Sequence, residues 1–107
     1  MGGIALIEAQ QEAELIYSRI VPLFTAQWHC QYRIDVVNDQ YGQTFNFFMG
    51  IKRQNHRERS IPLHTLRTTD LAVLERVIVA LQQQTQLSLN FVDFGHVRWP
   101  VSQRWIH

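Results

Sequence analysis

A single cysteine, Cys30, stands in the 107 residues, so no internal disulfide can form. Lysine is nearly absent: Lys52 is the only one, and Arg supplies the other nine of the ten basic residues. No apolar run approaches the ~20 residues that a membrane-spanning helix requires. The Met1-Gly2-Gly3-Ile4 start has no basic segment, long apolar stretch or cleavage site, so no signal peptide is expected. Glycine is scattered: Gly42 and Gly50 stand alone, and no phosphate-cradling loop is present. These absences point to a soluble, cytoplasmic protein with no membrane association.

The chain is rich enough in apolar residues to fold. At 46% apolar and 18% charged it is too hydrophobic for disorder. One domain of this length buries ~65% of its unfolded surface, enough for a core without staples. Net charge is +1, so any electrostatic function has to come from clustering. The charge is in fact uneven. Glu8, Glu12 and Glu14 make the first eighteen residues purely acidic, whereas Lys52, Arg53, Arg57, Arg59 and Arg67 face one acid, Glu58.

Ala13, Ile16, Tyr17, Ile20 and Phe24 recur at helical steps and predict an amphipathic helix over about 9–27, kinked or broken at Pro22. Residues 29–38 and 43–53 alternate and predict a hairpin closed by the turn Asn38–Gly42, with Gly42 or Asn38 able to take positive φ. Ile61-Pro62-Leu63 reads as an extended piece. A second helix follows, capped by Thr68 or Thr69 and buried along Leu71, Leu74, Ile78 and Leu81. Leu87, Leu89 and Phe91 form a last strand.

The apolar run Gly3–Ile7 decides the topology. As a strand it gives a split β-α-β-β-α-β (ferredoxin-like) order: an α+β two-layer sandwich whose antiparallel sheet carries two helices on one face. As helix it gives α-β-β-α-β. The first is expected, because the polar block after Ile7 interrupts a single helical stripe. Residues 1–94 form the α+β domain and 95–107 a C-terminal tail with two Arg-Trp pairs.

No catalytic constellation stands out. Neighbouring His29 and Cys30 point to opposite faces of a strand and cannot act as base and nucleophile. His29, His56, His64, His96 and His107 show no metal-ligand spacing, and Asp35, Asp39, Glu58 and Asp93 are dispersed. Neither metal nor cofactor is expected.

Thr44-Phe45-Asn46-Phe47-Phe48-Met49 resembles, over about six residues, the third-strand motif of RNA-recognition motif domains, where alternating aromatics stack on bases. Thr44 replaces the expected Gly, Asn46 the second small residue and Gly50 the last aromatic. Ile4–Ile7 also lacks the aromatic of the companion motif. With these departures Phe45, Phe47, Met49 and Ile51 read first as a core face.

The expected function is therefore contact: a non-catalytic protein-binding module (accessory subunit, assembly factor or inhibitor) that docks on a larger protein with an acidic surface. Its contacts are Lys52, Arg53, Arg57, Arg59 and Arg67 in the basic stretch and Arg98, Trp99, Arg104 and Trp105 in the tail. A basic loop is first of all a solvated tip, and the tail tryptophans serve equally well as a lid. RNA or single-stranded nucleic-acid binding is the alternative. A small hydrolase or nuclease using His56, His64 and nearby Arg is the second alternative, and self-association is open.

Overall fold

The computed structural model describes residues 2–24 and 30–106, with side chains from residue 9 onward. Its order is α1 (Gly2–Ile20), a 3-10 turn (Val21–Leu23), β1 (Cys30–Asp39), β2 (Thr44–Arg53), β3 (Arg59–Leu66), α2 (Leu71–Gln82) and β4 (Ser88–Val92). The four strands form one sheet in the order β3-β2-β1-β4. β2 is antiparallel to β1 and β3, and β4 is parallel to β1. Two helices on a four-stranded mixed sheet make this a small α+β globule.

The expected split order is corrected at three places. The sheet is mixed and not antiparallel, because β3 and β1 both run opposite to β2 and the crossover through α2 returns the chain so that β4 runs the same way as β1. Gly3–Ile7 lies inside α1 and forms no strand. The polar block after it does not interrupt the buried stripe, because Ala9, Ala13, Ile16 and Ile20 pass beneath it while Gln10, Gln11 and Glu14 face solvent. The fourth strand comes instead from Arg59–Leu66, which the sequence shows only as a short extended piece. Pro62 hides it: proline weakens a strand pattern, yet here it sits on the sheet edge, opposite Phe48 beside a bulge between Phe47 and Phe48. The edge is further covered by Arg19, which donates to the Leu63 carbonyl.

Helix α1 ends where Pro22 cannot donate to the Ser18 carbonyl. The chain tightens into the 3-10 turn, and the Phe24 N–H closes it on the Ile20 carbonyl at 3.0 Å. The start of the expected strand at His29 and the end of the expected helix lie outside the described residues. In the β1–β2 turn it is Gln43, at φ 55°, that takes the left-handed conformation, while the Asp39 carboxylate accepts from Gly42 N at 3.0 Å. The cap of α2 is Asp70 rather than a threonine: its carboxylate accepts from Ala72 N at 2.9 Å, and Thr68 Oγ1 accepts from Asp70 N at 3.1 Å.

One face of the sheet meets the helices. Ile34 pairs with Met49 and Val36 with Phe47, and all four side chains are fully buried with Phe45, Ile16, Leu74, Val77 and Leu81. No helix among the described residues is long and apolar enough to cross a membrane.

The C-terminal segment folds back as a small hairpin. Trp99 N donates to the Arg104 carbonyl at 2.8 Å and Ile106 N to the Val97 carbonyl at 3.0 Å. Trp99 and Ile106 enter the core, with Trp99 edge-on to Phe91 at 5.3 Å. The buried Glu75 carboxylate on α2 accepts from Val101 N at 2.8 Å and Ser102 N at 3.0 Å. Glu75→Ala removes both acceptors and is expected to cost about 2 kcal/mol in urea unfolding and to speed amide exchange at Val101 and Ser102. Unchanged exchange at both amides would show that Glu75 does not hold the segment.

Candidate functional site

The β2–β3 connection is a tip beyond the packed body. Every residue from Lys52 to Ser60 is exposed. The tip closes by His56 N donating to the Arg53 carbonyl at 3.1 Å, by Asn55 at φ 65°, and by Lys52 Nζ donating to the His56 carbonyl. Asn tolerates that backbone conformation better than most residues, so the turn chemistry was in the sequence.

The tip's one carboxylate is drawn away from it. Glu58 Oε1 pairs with Arg33 Nη1 on β1. Arg33 is held from the other side by Asp35, with Nε donating to Oδ1 at 2.8 Å and Nη2 to Oδ2 at 3.3 Å. Asn90 on β4 also donates to Asp35, at 3.1 Å. Bonding to Asp35 first, and then to Glu58, raises the Arg33 pKa and holds the guanidinium in its charged form. The Arg33 side chain crosses β2 at Gly50, where an added Cβ would lie 3.1 Å from both Cγ and Cζ of Arg33. Gly50 is thus the gap that lets the arginine reach Glu58.

That strap leaves Lys52, Arg53, Arg57 and Arg59 together. Among the described residues none of the four pairs with a carboxylate. The remaining sequence-selected residues are elsewhere. β3 ends at Leu66, opposite Phe45, so Arg67 lies at the far end of the sheet from the tip. The tail leaves β4 at Val92, which pairs with Val37 at that same far end. Of the tail residues, Trp99 is buried, Arg104 is exposed, and Trp105 is 48% exposed with the Arg98 guanidinium 4.4 Å from its ring centroid. Nine steps of β2 separate its ends, about 30 Å. The structure therefore does not bring the Arg-rich loop and the Arg/Trp tail into one patch.

The two histidines of the catalytic alternative stand apart. His56 is in the tip, while His64 sits opposite Phe47 on β3. Both ring nitrogens of His64 are engaged, Nε2 with Glu12 and Nδ1 with Arg19 at 3.2 Å. No group of three His, Cys, Asp or Glu suited to a metal occurs among the described residues. The aromatics of the RNA-recognition-like stretch divide by face: Phe45 and Phe47 are core, and Phe48 alone is half-buried on the open side of the sheet.

Arg33 was missed in the sequence, although the signal existed. Residues two apart on a strand share a face, so Arg33 and Asp35 can pair, and Gly50 sits across from Arg33. Gly50→Ala is expected to destabilise the protein by about 1–3 kcal/mol through crowding against Arg33. Removing the arginine as well, in Gly50→Ala/Arg33→Ala, should recover part of the crowding loss in a double-mutant cycle. Strict additivity in that cycle would mean that the two residues do not meet.

No family model, curated protein or solved structure matches this chain, which leaves its surfaces as the guide to what it does.

Proposed function

We propose that this chain is a non-catalytic protein-binding module of the cytoplasm that docks its basic hairpin tip on an acidic surface of a protein partner. An accessory subunit, assembly factor or inhibitor would all use such a contact. The observation that supports it most is the diversion of Glu58 to Arg33. Four cations are left exposed at one end of a near-neutral molecule, without an internal carboxylate partner among the described residues. Three of them are Arg, whose planar fork binds carboxylates in a bidentate manner. The paired strands fix the backbone at Lys52, Arg53 and Arg59, which lowers the ordering cost of binding, while the exposed side chains keep rotamer freedom that binding has to overcome. Charges of this kind act mainly on encounter rate and on salt dependence.

The tail contributes separately. Trp105 with Arg98 is a second exposed contact element, and Arg67 lies at the same end of the sheet. A partner engaging the tip would have to span the length of the sheet to reach them as well.

The test is binding of a labelled polyglutamate peptide, followed by fluorescence anisotropy beside a single-stranded oligonucleotide of equal charge. Arg57→Glu/Arg59→Glu is expected to weaken peptide binding at least about tenfold and to flatten its salt dependence. Equal binding by the variant would remove the tip from the function. Clear preference for the oligonucleotide would replace the protein partner with nucleic acid.

A further inference from the structure

We infer that the tip's partner is a second copy of this chain, with the basic tip of one molecule seated in an acidic, aromatic-rimmed cleft at the far end of the next molecule's sheet. This inference rests on the reading of the tip as a docking element and names what it docks on. The cleft is open, about 620 Å³, and lies where the β1–β2 turn meets the segment after β4. Its lining includes Val37, Asp39, Tyr41, Asn46, Phe48 and Asp93, and no Lys or Arg contributes to it.

Its chemistry complements the tip. Asp39 and Asp93 supply two carboxylates, and neither forms an ion pair among the described residues. Asp39 uses one oxygen on Gly42 N and keeps the other. Tyr41 is fully exposed, and Phe48, half-buried, lines the same cleft. Guanidinium groups stack on such rings while their edges pair with carboxylates. Arg67 and Arg98 are at the same end of the sheet but line none of the cleft.

The complementarity cannot be satisfied within one molecule, because tip and cleft stand at opposite ends of β2, about 30 Å apart. It can be satisfied between molecules. Two different patches joined head to tail make a heterologous interface, so assembly continues into open chains unless the rotation happens to close a ring. The pairs are exposed, so assembly is favoured by low salt and dissolved by high salt.

Sedimentation velocity at about 20 mM and about 500 mM salt tests this. The wild type should grow in mean mass with concentration at low salt and return to monomer at high salt. Arg57→Gln/Arg59→Gln weakens the tip. Asp39→Asn/Asp93→Asn neutralises the cleft while keeping the turn acceptor at 39 and a residue that tolerates φ 65° at 93. Each variant alone should stay monomeric. Their equimolar mixture should form a complex of one molecule of each and nothing larger, since it contains one intact tip and one intact cleft. A monomeric wild type at low salt overturns self-assembly; if the polyglutamate peptide still binds the tip, the docking function survives with another partner, and if it does not, both fall. Wild-type assembly without rescue in the mixture overturns the tip-to-cleft contact.

Discussion

The register between β1 and β2 is the constraint on which the rest of the molecule depends. Opposing Ile34 with Met49 and Val36 with Phe47 puts four apolar side chains on one face and leaves Arg33, Asp35, Asn46 and Phe48 on the other. A slip of one residue would exchange the faces. The helices would then meet an ion-paired surface, and the strap from Arg33 to Glu58 could not form. The register also fixes where β3 and β4 attach, because each pairs with one strand of this central hairpin. The basic tip, the far cleft and the seat of the C-terminal segment all inherit their positions from it.

Several parts of this arrangement were readable in the residues. The alternation of Ile34, Val36, Phe45, Phe47 and Met49 showed the central hairpin and its core face. Pro22 marked the end of α1, and the periodicity of Leu74, Ile78 and Leu81 showed α2. Other parts were hidden for identifiable reasons. Gly3–Ile7 is apolar without a period, and such runs fit helix and strand alike. Strand β3 carries a proline and a bulge, both of which erase alternation. The parallel pairing of β4 with β1 depends on a crossover that no local pattern records.

The candidate site was legible as composition but not as geometry. Clustering of Lys52, Arg53, Arg57 and Arg59 is visible in the chain order. That Arg67, Arg98, Arg104 and Trp105 stand apart from them follows only from strand directions. Trp99 and Trp105 look alike in sequence, each following an arginine, yet the short hairpin of the tail sends one inward and leaves the other half in solvent. Glu75 could not have been singled out either. It is an acid within an apolar helix stripe, and its role appears once Val101 and Ser102 fold back to it.

The covering of the β3 flank has a consequence for how these molecules can meet. Pro62 lacks an N–H to offer a newcomer strand, the Leu63 carbonyl is occupied by Arg19, and the bulge interrupts the ladder. Continuous cross-strand growth of the kind that seeds amyloid is therefore discouraged along that border. A ladder broken at Pro62 and Leu63 shifts contacts at that border from backbone pairing toward side chains, which can join and part without rebuilding the sheet.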